Sequence, residues 1–124
     1  MKKRIYYKGK RVSKGEKRII DFLLSEDIEF IKEKTFIDCR GRNNRNPLRF
    51  DFFLPNHNIL IEFDGEHHFA PVNKGWRAKY VHERTKINDD IKNDYIKNKG
   101  LGLLRIPYWE FDEIDSILRK VLFG

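Results

Sequence analysis

Two β-rich segments joined by a turn constrain the fold of this chain more than any other feature. Residues 48–54 and 59–64 are rich in β-forming side chains, and they flank the Pro-Asn-His-Asn sequence at residues 55–58. This pattern predicts a β-hairpin with a four-residue loop. In that hairpin the last residue of the first strand, Leu54, pairs with the first residue of the second strand, Ile59.

Side chains alternate between the two faces of a strand, so the predicted hairpin has one apolar face and one mixed face. The apolar face would carry Phe50, Phe52, Leu54, Ile59, Ile61 and Phe63, and the mixed face Arg49, Asp51, Phe53, Leu60, Glu62 and Asp64. A slip of one residue would place carboxylates in the apolar row, so the register is well specified. Asp51 is therefore expected directly opposite Glu62.

Two opposed carboxylates have a limited set of stable arrangements. Their Cβ atoms would lie about 5 Å apart, and like charges at that spacing destabilise a sheet. A partly buried pair shares a proton or binds a cation, and oxygen ligands favour Mg²⁺ or a related divalent ion. The alternative is a solvated face on which Arg49 simply neutralises Asp64.

The remaining segments predict an α/β fold in the order α-β-β-β-α-β-α. A capping box of Ser13 and Glu16 begins the first helix, and Gly100 ends the second long helix. The predicted helices cover residues 14–26, 85–99 and 111–122, the two further strands cover 28–36 and 101–106, and residues 65–82 are expected to be irregular. This order predicts a small mixed β-sheet flanked by helices.

Length and charge indicate one domain with a polyanionic partner. The chain has 124 residues and a net charge of +7, with a basic N-terminal arm at about residues 1–12. The absence of an apolar run of roughly 20 residues and of a secretory signal predicts no membrane association and a cytoplasmic location. Cys39 is the single cysteine, which excludes an intrachain disulfide and a cysteine-based zinc site.

Several basic and titratable side chains are candidates for a functional site. A basic loop at residues 40–47 and the segments near the hairpin suggest phosphate contacts by Arg40, Arg42, Arg45, Arg49, Lys74 and Arg77. Lys8, Lys10 and Arg11 would extend this surface. One histidine of the pair His67-His68 would act as a general base or acid, or would pack in the turn instead. Glu16 would serve either as a helix cap or in the site, and Asp89 and Asp90 would also stabilise the helix macrodipole.

Four segments together resemble the PD-(D/E)XK nuclease superfamily. They are residues 49–52 (RFDF), 61–69 (IEFDGEHHF), 89–95 (DDIKNDY) and 103–108 (LLRIPY). More narrowly, they resemble the branch related to very-short-patch repair endonucleases, which includes phage homing endonucleases with an EDxHD signature. The resemblance implies an αβββαβ restriction-endonuclease-like core and binding of Mg²⁺ or Mn²⁺.

The resemblance also implies a role for each matching residue. Asp51 and Glu62 would hold the metal, His68 would be the catalytic histidine, and Glu16 and Asp89 would complete the catalytic set, with Asp90 as the alternative helix acid. The chain departs from the superfamily pattern at Asp64, which stands where the pattern ends in lysine. Lys92 is then a candidate substitute for that cation.

These observations predict a divalent-metal-dependent DNA endonuclease of homing or mobile-element type. Its partner would be double-stranded DNA, in the cytoplasm of a bacterium or of a phage-infected host. Cleavage of both strands with one site per chain would favour a homodimer. A mismatch-specific nicking repair endonuclease and a non-catalytic basic DNA-binding module are the alternatives.

Overall fold

The computed structural model describes residues 4–42, 45–65 and 76–124, without the side chains of residues 76–82. The strands are β1 (Ile5–Tyr7), β2 (Lys10–Val12), β3 (Ile31–Arg40), β4 (Pro47–Leu54), β5 (Ile59–Asp64) and β6 (Gly102–Pro107), and the helices are α1 (Lys14–Ser25), α2 (Trp76–Lys99) and α3 (Ile114–Phe123). A 3₁₀ helix, Tyr108–Glu113, links β6 to α3. The predicted small mixed sheet flanked by helices is confirmed, and the order from α1 to β6 is αβββαβ.

The four-stranded sheet has the strand order β3-β4-β5-β6. The strands β3, β4 and β5 pair antiparallel, whereas β5 and β6 pair parallel and are joined through α2. The register of the β4–β5 hairpin is the predicted one, with Leu54 opposite Ile59 and Phe52 opposite Ile61. The amide of His57 donates to the carbonyl of Leu54 at 3.1 Å and closes the turn.

Helices cover both faces of this sheet, which gives the chain two hydrophobic cores. On one face α1 and α3 pack on strand residues, with a buried centre of Ile19, Ile20, Leu23, Phe52, Leu54, Ile61, Ile106, Ile114 and Leu118. On the other face α2 contributes Ile91, Tyr95 and Ile96, which pack with Phe50 and Leu60. Because both faces of the sheet are apolar, either face can accept a hydrophobic side chain.

A kink in β3 accompanies a departure from the predicted strand faces. Phe50 and Phe52 are two residues apart yet lie in different cores, so the expectation that they share a face is wrong. The facing residues of β3 show the same change of side, since Lys32 lies over the Phe52 ring and Lys34 over the Phe53 ring. Between those lysines Glu33 has a φ of +53°, a left-handed conformation that interrupts the alternation.

Two other segments differ from the sequence-based expectation. The α2 helix begins at Trp76, so the irregular stretch expected through residue 82 is wrong from that residue onward. Its early turns are mostly polar, so no apolar periodicity marks them in the sequence. The expected N-terminal arm instead contains the β1–β2 hairpin, whose Ile5, Tyr7 and Val12 pack on the core beneath α1.

No helix in the described part of the chain combines the length and the apolar character needed to cross a membrane.

Candidate active site

A cleft of about 550 Å³ opens where α1, α2 and the central strands meet. Four of the predicted catalytic residues line it, namely Glu16, Asp51, Glu62 and Asp89. They come from four elements, α1, β4, β5 and α2, that only the tertiary fold brings together. Glu16 and Asp89 reach this cleft from helices that pack on opposite faces of the sheet, α1 and α2.

Asp51 and Glu62 are cross-linked by hydrogen bonds that replace the regular strand ladder. The backbone amide of Asp51 donates to Oε2 of Glu62 at 3.2 Å, and the amide of Phe63 donates to Oδ2 of Asp51 at 2.9 Å. Each carboxylate is thereby fixed against the neighbouring strand. The two predicted ligands therefore lie close together, one position beyond the last regular pair of the hairpin, Phe52 with Ile61.

The charge of Asp51 is poorly compensated. Burial, followed by the charge of Glu62, raises the pKa of Asp51 from 3.8 to about 7, although the Phe63 amide favours the ionised form. No ion pair joins Asp51 to a lysine or arginine among the residues that the structure describes. Asp51 is therefore a partly buried acid with no ion-pairing lysine or arginine among the described residues.

Glu62 has such a neighbour in Lys92 of α2. The Lys92 ammonium lies 2.5 Å from Oε1 of Glu62, and the two side chains are 12% and 5% exposed. Lys92 also lies over the Phe50 ring at 5.0 Å. The residue proposed as a substitute cation thus contacts one of the two candidate metal ligands.

Glu16 combines two roles that the sequence presents as competing. Its Oε1 accepts from the Ser13 amide to complete the capping box, while Oε2 accepts from Lys32 at 2.7 Å. Burial opposes ionisation, but the hydrogen bond and charge of Lys32 lower the pKa of the Glu16 carboxyl. The carboxylate caps α1 and borders the cleft at the same time.

A glycine sets the distance between α1 and the cleft strands. Gly15 is buried, and a Cβ added there would overlap the Phe63 ring. The missing side chain allows the first turn of α1 to lie on Phe63, which follows Glu62. This contact brings Glu16 to the rim of the cleft.

Arg105 on β6 links two further acids. Its guanidinium lies 3.1 Å from Asp64 and 3.4 Å from Asp89. Burial opposes protonation of Arg105, yet the charges of Asp89 and then Asp64 raise its pKa. Of the two helix acids considered from the sequence, Asp89 lines the cleft, whereas Asp90 is exposed.

The solvated face considered as an alternative is wrong at two of its positions. Glu62 and Asp64 are only 4% and 5% exposed. Arg49 does not neutralise Asp64, because its guanidinium bonds Glu33 at 3.0 Å. The regular pairing of β4 with β5 ends at Phe52 and Ile61, so Arg49 is not paired with Asp64.

The arginines predicted to contact phosphate from the basic loop and from Arg49 line two different cavities. Arg49 lines the cleft, whereas Arg40, Arg42 and Arg45 line a second cavity of about 520 Å³ beside Tyr95. Arg40 also holds the loop itself, since it donates to the carbonyls of Ile37 and Arg45.

Sequence reasoning missed two charged residues that line the cleft, Glu33 and Arg84, and the partner of Glu16, Lys32. Each is brought there by a contact between distant segments. Arg84 lies just before the helix predicted over residues 85–99, so that prediction gave no signal for its position.

Three predicted site residues cannot be placed. His68 and Lys74 lie outside the described residues, and for Arg77 only the backbone is described, within α2. Within the described ranges, no group of three or more histidine, cysteine or acidic side chains is arranged to hold a metal ion.

Comparison of the chain with models of known families, with characterised proteins and with solved structures gives no match.

Proposed function

We propose that this protein is a divalent-metal-dependent DNA endonuclease of homing or mobile-element type. The observation that carries the proposal is the fixed pair of carboxylates, Asp51 and Glu62, on adjoining strands inside an open cleft. The cleft also contains Arg11, Arg49 and Arg84, whose charge suits a phosphate backbone. The αβββαβ element order supports the same proposal, as do the sequence segments that resemble the PD-(D/E)XK superfamily.

The chemistry of the donor set fits a divalent cation. Two carboxylates supply hard oxygen ligands. Burial and the charge of Glu62 raise the pKa of Asp51, so a bound cation would offset the charge of this pair. Asp51 and Glu62 would hold the ion, with Asp89 or Glu16 assisting. When bound, the ion would relieve charge at the scissile phosphate and assist in activating water.

Further groups would orient the substrate and move protons. Lys92, beside Glu62, would place a fixed positive charge near the reacting phosphate. The arginines would position the DNA strand along the cleft without reading its sequence. His68, from the segment that follows β5, is proposed as the group that takes a proton from water or gives one to the leaving oxygen.

A plasmid assay tests this proposal. Supercoiled plasmid is incubated with the protein and Mg²⁺ or Mn²⁺, with and without chelator, and the product ends are mapped. The wild type is expected to cut only with metal, and Asp51→Asn, Glu62→Gln and His68→Ala are expected to lose cleavage at unchanged DNA affinity. Asp90→Asn, which removes an exposed acid of α2, is the matched control. Full activity of Asp51→Asn and His68→Ala would overturn the proposal.

A second candidate, a non-catalytic DNA-binding module, is favoured by the ion pairs in the cleft. Lys92 already contacts Glu62 and Lys32 already contacts Glu16, which lowers the need for a metal at those acids. In that case the plasmid stays intact at every metal concentration while the protein still binds it. Nicking restricted to mismatched duplexes would instead identify a repair endonuclease.

A further inference from the structure

Two cations from different strands converge on one carboxylate at the edge of the cleft. The Lys10 ammonium of β2 lies 3.0 Å from Oε2 of Glu33, and the Arg49 guanidinium of β4 lies 3.0 Å from Oε1. Each oxygen of the carboxylate therefore holds one cation. Glu33 bridges the N-terminal hairpin to the strand that carries Asp51.

The position of Glu33 places this bridge between two cavities. Glu33 and Arg11 line both the cleft and a smaller cavity of about 230 Å³ beneath the N-terminal hairpin. The left-handed backbone of Glu33, at the kink opposite Asp51, directs its carboxylate to this boundary. A ligand that follows the cleft wall past Asp51 would meet these groups next.

The bridge is built from exposed side chains. Lys10 and Arg49 are 76% and 68% exposed, and Glu33 is 35% exposed. Hydrogen bonding from Lys10 lowers the pKa of Glu33, so the carboxylate stays ionised at neutral pH. Exposed ion pairs contribute little net stability, so another anion can replace Glu33 at small cost.

We propose that Lys10 and Arg49 form a subsite for a backbone phosphate of DNA, which the Glu33 carboxylate fills in the free protein. A phosphodiester has two unesterified oxygens, so it can take one cation on each as Glu33 does. Glu33 then acts as an internal competitor that weakens DNA binding. This inference rests on the proposed action on DNA and adds a contact on the hairpin side of the cleft.

Binding measurements without metal test the subsite separately from catalysis. The affinity of a short fluorescent duplex is measured by anisotropy in the presence of chelator, for the wild type and for Glu33→Gln. Loss of two exposed ion pairs from the free state is expected to tighten binding about fivefold. Lys10→Gln and Arg49→Gln are each expected to weaken binding and to reduce the salt slope by about one unit.

Glu29→Gln is the matched control, because it removes an exposed glutamate outside the cleft and changes the net charge equally. The decisive comparison places Glu33→Gln in the Lys10→Gln/Arg49→Gln double variant, where neither of the two cations that form ion pairs with Glu33 remains to be released. There we expect no tightening beyond that of Glu29→Gln. An equal gain in both backgrounds would show general repulsion of DNA by Glu33 and overturn the subsite.

The two proposals fail in different ways. If metal-dependent cleavage is absent but the binding pattern holds, the nuclease function falls and the phosphate subsite stands. If cleavage occurs but Glu33→Gln binds no tighter than Glu29→Gln, only the subsite is overturned. A wild type that binds no duplex overturns both.

Discussion

At the level of single residues, Asp51 differs from the other acids of the cleft in its surroundings. Glu16 has Lys32, Glu62 has Lys92, and Asp89 has Arg105. Asp51 has the Phe63 amide and the carboxylate of Glu62 instead. A group that is costly to ionise in the free protein and lies in an open cleft is typical of a functional site.

This environment predicts a pH-dependent gain of stability for Asp51→Asn in metal-free protein. In the unfolded chain an aspartate ionises near pH 3.8, whereas folded Asp51 ionises at about 7. The folded state binds the proton more tightly, so the free energy of unfolding of the wild type falls as the pH rises between these values. The asparagine of the variant keeps an oxygen for the Phe63 amide and has no charge to bury.

Urea titrations with chelator, repeated across this pH range, measure the effect. We expect Asp51→Asn to match the wild type at about pH 4 and to exceed it by about 2–4 kcal/mol at about pH 8. Asp90→Asn, the exposed control, is expected to show no such trend. A wild type whose stability relative to Asp51→Asn does not fall with pH would contradict the environment assigned to Asp51.

Gly15 allows α1 to pack closely on Phe63 because it has no side chain. We expect Gly15→Ala to destabilise the protein by about 1–3 kcal/mol, because the added methyl group overlaps the Phe63 ring. Thermal unfolding measures the loss. Phe63→Leu in the same chain should restore part of it, whereas equal losses from Gly15→Ala in both backgrounds would show that Phe63 is not the cause.

At the level of elements, the register of the β4–β5 hairpin was predictable from the sequence, and the kink at Glu33 in β3 was not. The turn at residues 55–58 and the alternation in β5 predicted the register of the pairs from Leu54–Ile59 to Phe52–Ile61. Beyond these pairs, Asp51 and Glu62 are joined by hydrogen bonds between side-chain oxygens and backbone amides. Phe50 misled the assignment of faces because both faces of the sheet are covered by apolar side chains. Alternation then carries no information on which core a phenylalanine enters.

The sequence also could not predict where α2 begins or which residues its charged side chains contact. Lys92 could be placed one turn after Asp89 on a helix, but its contact with Glu62 depends on how α2 crosses β5. Arg105 likewise joins Asp64 and Asp89 from a strand that pairs with β5 only in the folded sheet. Such contacts link segments far apart in the chain, where no local pattern predicts them.

The contact between α2 and β5 predicts an unequal effect of two lysine substitutions. Lys92→Met leaves the buried Glu62 carboxylate without its cation, so we expect a loss of about 3 kcal/mol in metal-free protein. Lys99 lies on the same helix as Lys92 and forms an exposed pair with Asp38 of β3. Lys99→Met breaks that pair and should cost under about 1 kcal/mol. Chemical denaturation compares them, and equal losses would contradict a buried Glu62–Lys92 pair.

At the level of the whole molecule, acidic and basic side chains occupy different parts of the cleft. The net charge is +7, yet acids gather around one cleft whose rim carries arginines. This distribution suits a polyanion that must approach a cation held by carboxylates. The dimer expected from the sequence would bring two such clefts to one duplex, and sedimentation with and without DNA distinguishes it from a monomer.

The basic rim predicts a steep salt dependence of DNA affinity. Each phosphate contact contributes a slope of about −0.9 in a plot of log affinity against log salt. We expect a slope of about −3 or steeper for wild-type protein in chelator, from anisotropy at several salt concentrations. A flat dependence would exclude a surface that binds DNA through phosphates.

The central claim is that Asp51 and Glu62 together hold a divalent cation, and calorimetric titration of Mn²⁺ into metal-free protein tests it most directly. The account predicts one saturable binding event per chain for the wild type and for Asp90→Asn. It predicts loss of that event in Asp51→Asn and in Glu62→Gln, each shown to be folded by circular dichroism. Saturable binding that survives both substitutions, or a wild type that binds no Mn²⁺, would contradict it.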